Sequence, residues 1–233
     1  MPAAPLFPDR RFKTLVTLTG IILAGFMFAP TAGAKTHKSR HRYIYVEPPR
    51  HVPVAKGFTT VVVDAGHGGI DPGGIPGQKI PEKPYTLDTA IRLRALLLKA
   101  GFHVVMTRSN DTFIPLPERV RIADAQTNAI FVSIHFNASP TSSGYGLETY
   151  YYSTNAKPLA DRIQARIAGG LQTLNRGVKW RGYFVLRKPN IAAVLVEGGF
   201  LTNPVEAQKI LQTSYRQRLA ELIAKAIIDQ RGN

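Results

Sequence analysis

The chain has 233 residues, 44% of them hydrophobic, which is enough for one domain with a packed core. It contains no cysteine, so a disulfide framework and a thiolate-held metal are excluded, and any metal must be held by His, Asp or Glu. The net charge of +15 points to an anionic partner such as a cell-wall polymer or membrane headgroups.

The N-terminus reads as a targeting segment. Arg10, Arg11 and Lys13 form a basic region, Thr14 to Ala34 carries no charge, and Ala32-Gly33-Ala34 is a small-x-small cleavage signal. Residues 1–34 are therefore expected to be a signal peptide cleaved after Ala34, which places the mature protein in the periplasm, cell envelope or extracellular space. The alternative is an uncleaved anchor through residues 14–34, against which Pro30 and Gly33 count. Arg10-Arg11 leaves a twin-arginine export route open. Residues 35–57, rich in Lys, Arg, His and Pro, read as a flexible basic linker able to contact anionic wall polymer or membrane. Its histidines, His37, His41 and His51, are expected to be solvated rather than metal ligands. Export argues against nucleic acid, and the chain lacks the basic-aromatic motifs of nucleic-acid modules.

From residue 58 to 233 the pattern is that of one α/β domain. Thr59–Asp64 is a β-branched run expected to form a buried strand. Glycines from Gly66 to Gly74 and Pro72, Pro76 and Pro81 then enforce a long loop. A phosphate-binding loop would need a helix directly behind the glycines, and prolines follow instead. Thr86–Ala100 reads as a helix with Leu87, Ala90, Ile91, Leu97 and Leu98 on its inner face, ended by Gly101. His103–Thr107 reads as a short strand whose His103, in an apolar run, is expected to be structural. Leu116–Thr127 is a helix and Ala129–His135 a second buried strand. Gly146–Tyr152 alternates as a strand near an edge, and Pro158–Leu174 is a helix. Phe184–Leu186 and Ala192–Glu197 are read as strands, and Pro204–Leu211 as a short helix. Ser214-Tyr215-Arg216-Gln217 reads as a capping box opening a last helix with Leu219, Leu222, Ile223, Ala226 and Ile227 inward. Alternating strands and helices predict a single mainly parallel or mixed twisted sheet of about five to six strands, covered by helices on both faces.

Four residues carry the candidate chemistry: His67, Glu82, His135 and Glu197. His67, His135 and Glu197 each stand where an apolar run ends, the place where a strand delivers a side chain to the sheet edge. Two imidazoles plus one carboxylate make a three-ligand zinc site with an open position, and a second carboxylate could serve as general base. Asn137, two residues beyond His135, could orient a ligand by accepting an imidazole N–H.

The combination resembles the zinc-dependent N-acetylmuramoyl-L-alanine amidases of the amidase-3 family, over roughly Thr59 to Ile228. The matching stretches are Val63-Asp64-Ala65-Gly66-His67-Gly68-Gly69, Glu82-Lys83, Thr107-Arg108, Leu116 with Arg119, and Ser133-Ile134-His135-Phe136-Asn137-Ala138. They continue with Gly146 and Glu148 before Tyr150-Tyr151-Tyr152-Ser153, with Asn175-Arg176-Gly177-Val178-Lys179, and with Val196-Glu197 before Gly199-Phe200-Leu201 and Asn203. The resemblance implies one Zn2+ held by His67, Glu82 and His135, with Glu197 as catalytic carboxylate and Asn137 and Arg108 as possible supporting or substrate residues. It implies hydrolysis of the amide between N-acetylmuramic acid and L-alanine in peptidoglycan, in cell-wall remodelling or daughter-cell separation. A zinc peptidase acting within the stem peptide and a non-catalytic wall-binding protein are the alternatives. The chain departs from the family pattern at Asp124, where Asn is usual, and at Gly198, where Thr is common. Glu148 reads as either a pocket residue or a plain edge-strand carboxylate, the latter being favoured, and stays outside the catalytic set. Between Ser153 and Asn175 there is room for one packing helix only, which predicts a site with no inserted occluding helix.

Overall fold

The computed structural model describes residues 52–53 and 57–232, all within one compact unit, Val46–Asn233. The expected signal peptide, nearly all of the expected linker and His37, His41 and His51 lie outside the described residues. Val52, inside that expected linker, is buried in the core, and its carbonyl accepts a hydrogen bond from Asn155 Nδ2. The packed unit thus reaches back at least to Val52.

Six strands form one sheet in the order β2-β1-β3-β6-β4-β5. These are β1 (Thr60–Ala65), β2 (His103–Met106), β3 (Ala129–Asn137), β4 (Leu147–Tyr151), β5 (Asn175–Trp180) and β6 (Ala192–Phe200). β1 pairs in parallel with β2 and β3, and β3 with β6; β4 runs antiparallel to β6 and parallel to β5. The helices are α1 (Lys83–Lys99), α2 (Leu116–Asp124), α3 (Lys157–Gly170), α4 (Phe184–Arg187), α5 (Pro204–Leu211) and α6 (Thr213–Arg231), with a 3-10 turn at Thr154–Ala156 before α3. β1 and β6 are buried along their whole length, which is why they read as continuous apolar runs rather than alternating ones.

Side chains alternate between the two faces. On one face Val61, Val63, Val132, Ile134, Val194 and Val196 pack under Leu93 and Leu97 of α1, Ile163 and Ile167 of α3 and Leu219, Ile223 and Ile227 of α6. Each fully buried Leu or Ile there contributes roughly 1.5–3 kcal/mol of transfer free energy. On the other face Val62, Phe131, Ala193 and Leu195 meet a thinner cover: Ala123 of α2, Val185 and Leu186 of α4, Tyr150 and Tyr152. The same alternation puts Asp64, Ser133, His135, Glu197 and Glu148 on this second face. They lie toward the C-terminal ends of β1, β3 and β6, where open α/β sheets bind ligands.

Several sequence expectations need correction. Phe184–Leu186 is one helical turn, α4, because three apolar residues do not distinguish strand from buried helix. Asn175–Trp180 is a strand, although its polar sequence shows no alternation; the pairing of β4 with β5 shifts register between Leu147 and Thr149. α1 buries Thr86, Thr89, Ala90, Leu93 and Leu97, leaving Ile91 and Leu98 exposed. The capping box does not form: α6 opens at Thr213 with no side-chain cap. His103 is exposed on the edge strand β2.

Beneath the second face lies a buried ion pair. Asp64 accepts from Arg119 Nη1 (2.6 Å), Thr107 Oγ1 (2.7 Å) and Ser133 Oγ (2.6 Å). Burial alone would raise its pKa, but the Arg119 charge and the hydroxyls outweigh that and hold the carboxyl below its ordinary range. Removing one partner of such a pair leaves an uncompensated buried charge. Arg119→Met is therefore expected to cost about 3 kcal/mol or more, read as a lower urea midpoint at unchanged slope. A midpoint equal to that of the wild type would show that Asp64 does not depend on Arg119 for its compensation.

Candidate active site

The site is assembled from three segments: the loop after β1, the start of α1 and the end of β3. His67 stands two residues past β1 with φ 61°, a left-handed backbone uncommon for a non-glycine residue. Its carbonyl accepts from Arg119 Nη2 (2.8 Å), so the Asp64–Arg119 pair fixes the strained turn. Its imidazole Nδ1 bonds Asp71 Oδ2 at 2.8 Å, which leaves Nε2 facing Glu82 Oε2 at 3.0 Å.

Glu82 immediately precedes α1, with its backbone N–H donated to Pro72 O (2.7 Å). The side chain is 4% exposed. Oε1 lies 2.8 Å from His135 Nδ1 and accepts from Phe136 N at 2.9 Å. One carboxylate thus sits between two imidazoles whose rings meet edge-on, with centroids 4.8 Å apart. Burial works to raise the Glu82 pKa, but His135 and His67 overcome it and bring the carboxyl down to about 2. Burial in turn works against charging His135 and His67, and Glu82 outweighs it, so both titrate above the ordinary imidazole value.

Two glycines make this packing possible. A Cβ on Gly66 would lie 2.3 Å from the His135 ring, and one on Gly73 would lie 2.6 Å from the His67 ring and 2.7 Å from Glu82 Cβ. The glycine loop is therefore a requirement of the three side chains themselves.

Glu197, on β6, is the register neighbour of His135 on β3 and of Glu148 on β4. Its Oε2 is buried and is the one buried side-chain polar atom with no hydrogen-bond partner among the described residues. Burial, with Glu82 and Glu148 adding to it and His135 opposing, pushes its pKa up to about 8. A carboxyl left unbonded in an apolar setting costs stability, which marks it as a candidate for proton transfer near neutral pH.

The remaining sequence candidates separate. Arg108 is buried and donates to the carbonyls of Ala65, Gly66, Lys83 and Asn110 and to Thr86 Oγ1. It clamps the loop to α1. Asn137 bonds Glu148 Oε2 (3.4 Å) and Ala138 N (2.8 Å), with no bond to an imidazole. Glu148 is not an edge carboxylate: β4 is flanked by β6 and β5, and the residue is buried. It accepts from Lys179 Nζ (2.6 Å), Arg176 Nε and the Tyr150 hydroxyl. Burial works to raise its pKa, but Arg176, Lys179 and Tyr150 hold it below the ordinary range. Asp71, which the sequence reading did not single out, holds the outer nitrogen of His67; a carboxylate four residues beyond a histidine in a glycine loop was the available signal. Asp124 accepts from Asn190 N (2.7 Å) and Nδ2 (3.1 Å), away from the site.

A cavity of about 390 Å3 opens at the imidazoles, with Phe113, Ile114, Leu116 and Val185 forming an apolar wall. The ligand atoms of His67, Glu82 and His135 lie within 4.8 Å of one another, a spacing and donor set able to hold a divalent metal. α3, the single helix between Ser153 and Asn175, packs on the opposite face of the sheet and leaves this cavity uncovered.

Comparison with known proteins gives a consistent result. Residues 61–229 match the family described as N-acetylmuramoyl-L-alanine amidase. The chain is 42% identical over 168 residues to N-acetylmuramoyl-L-alanine amidase LytC of Bacillus subtilis, an alignment covering 70% of this chain and 34% of LytC. The chain thus spans about a third of the length of that relative. It is 39% identical over 172 residues to the uncharacterized protein YqiI of the same organism, covering 72% of this chain and 82% of YqiI. The solved catalytic domain of CwlV, an N-acetylmuramoyl-L-alanine amidase from Paenibacillus polymyxa, superposes with a TM-score of 0.70 at 35% identity, covering 73% of this chain and 97% of that one. CwlD amidase of Clostridioides difficile, solved in complex with the GerS lipoprotein, gives 0.70 at 32% identity, covering 74% and 98%.

The electrostatics of the triad are directly measurable. In the metal-free protein His135 is expected to titrate above the ordinary 6.5 in an NMR pH series, because the Glu82 carboxylate favours the charged ring. Glu82→Gln is expected to lower that midpoint. An unchanged midpoint would show that Glu82 does not set the charge state of His135.

Proposed function

The chain belongs to the N-acetylmuramoyl-L-alanine amidase family, and from that premise we propose that it is a zinc-dependent amidase cutting between N-acetylmuramic acid and L-alanine in peptidoglycan. The observation that carries the reading is the Glu82 carboxylate wedged between His67 and His135, with the unbonded Glu197 carboxyl on the next strand. His67, Glu82 and His135 would hold one Zn2+, their donor set being that of hydrolytic zinc. The metal, when bound, supplies a Lewis acid that acidifies water and polarises the amide carbonyl.

The rest is done by the chain's own side chains. Asp71 keeps His67 in the orientation that aims Nε2 inward, and Phe136 N does the same for Glu82. Glu197 takes a proton from the attacking water and returns it to the leaving amine of L-alanine. Its buried Oε2 has no hydrogen-bond partner among the described residues, so no protein donor competes for the proton it would carry. The apolar wall of Phe113, Ile114, Leu116 and Val185 limits competing water beside the reacting carbonyl.

Residues 1–34 would export the protein to the envelope and be removed there, and residues 35–57 would hold it near anionic wall polymer or membrane. Among the described residues no helix is long and apolar enough to cross a membrane. The uncovered cavity supports activity without displacement of an internal helix.

Purified protein acting on peptidoglycan is expected to release intact stem peptides with a free L-alanine amine. Chelation should abolish the release, and added zinc should restore it. Glu197→Ala should keep stoichiometric zinc by metal analysis and lose at least about a hundredfold in rate. Peptides cut internally while still attached to muramic acid would reassign the protein as a peptidase. A Glu197→Ala protein that kept its rate would remove Glu197 from the proton-transfer role.

A further inference from the structure

Beside Glu197 the sheet carries a second charged cluster that amide hydrolysis does not itself require. Glu148 stands directly opposite Glu197 across the β4–β6 pair and accepts from both Arg176 and Lys179 of β5. One carboxylate against two cations leaves a surplus positive charge. The Glu148 side chain is buried at 3% exposure, whereas the Arg176 and Lys179 side chains are 34% and 29% exposed.

The cations are also only partly used. Arg176 spends Nε on Glu148 and makes one long contact from Nη1 to Tyr145 O (3.4 Å); Nη2 has no hydrogen-bond partner among the described residues. Its guanidinium lies over the Phe200 ring, 5.2 Å from the centroid, which fixes its plane. Lys179 Nζ has one described partner, Glu148, for its three N–H groups. A cluster that served only to brace β4 against β5 would need one cation and would bury it.

We propose that Arg176 and Lys179, braced by Glu148, form a subsite that recognises a free carboxylate on the peptide leaving group. This rests on the amidase reading for where the scissile amide lies. The cation heads meet Glu148, one strand from Glu197, so they lie on the order of 5–10 Å from the reacting centre. An extended peptide covers about 3.3 Å per residue, which puts the recognised carboxylate one or two residues beyond the amide being cut. The substrate class is therefore an acidic stem rather than an amidated one. Arg176, held flat by Phe200 and Glu148, supplies fixed donor geometry, and Lys179 supplies a mobile point charge.

The test compares two synthetic stem peptides that differ only by a carboxylate or carboxamide at the residue after L-alanine. Calorimetric binding to the full chain is read first, then kcat/KM on the matching muramoyl-peptides. The wild type is expected to favour the acid by about tenfold. Arg176→Gln and Lys179→Met should each shrink the acid-to-amide ratio toward one, mainly through KM, with circular dichroism confirming folding. Equal affinity of the wild type for both peptides, or an unchanged ratio in both variants, would overturn the subsite. Turnover of both muramoyl-peptides at an equal rate would leave the amidase reading standing while the subsite fell. Acid-selective binding with no turnover of either would do the reverse.

Discussion

The site depends on one buried ion pair, Asp64–Arg119. Asp64 ends the apolar run of β1 and would be intolerable there without Arg119, which it bonds at 2.6 Å. Arg119 then uses its remaining donors on Ala65 O, His67 O and Ile114 O. A single guanidinium thereby ties the end of β1, the left-handed turn at His67 and the segment entering α2 to one point. Thr107 and Ser133 bring β2 and β3 to the same carboxylate. Because backbone carbonyls rather than flexible side chains are held, His67 is positioned by the chain path itself. The imidazole then needs only Asp71 to set its rotation.

Three glutamates lie within two strands of one another and behave differently, and their neighbours account for the difference. Glu82 is buried but faces two imidazoles and a backbone N–H, so it stays ionised with its pKa down to about 2. Glu148 is buried but faces Arg176, Lys179 and Tyr150, so it too stays ionised. Glu197 is buried with no donor on Oε2 and two carboxylates nearby, and its pKa rises to about 8. Identical residue types thus separate into two buried anions with different partners and one carboxyl that holds its proton. The separation is mutual: each ionised neighbour is part of what keeps the proton on Glu197.

Much of this was legible in the sequence because it was written in patterns that act locally. The apolar runs of β1, β3 and β6 read as buried strands, and a polar residue ending such a run lies toward the sheet's C-terminal edge. That logic located His135 and Glu197 without coordinates. The glycine loop signalled close approach, and the collisions awaiting a Cβ at Gly66 and Gly73 are its cause. What was hidden depends on strand neighbours. Asn175–Trp180 is a strand because β4 offers it an edge, and nothing in Asn-Arg-Gly-Val-Lys announces that. Glu148 read as an edge carboxylate for the same reason, since its charge partners come from a strand the sequence did not reveal. Arg108 carries a motif signal, but its four carbonyl partners are scattered from Ala65 to Asn110, so its clamping role is visible only in three dimensions.

The reversal of β4 gives the site its asymmetry. In a wholly parallel sheet the strand beyond β6 would present its C-terminal end beside Glu197. β4 instead enters beside Glu197 at its N-terminal end, so Glu148, its second residue, is level with Glu197. β5, parallel to β4, then begins at the same level and offers Arg176 and Lys179 within its first five residues. One side of Glu197 therefore holds imidazoles and an apolar wall, and the other holds a cation pair on a buried anion. The asymmetry of the site thus follows from a topological choice, one antiparallel pairing, rather than from any single side chain.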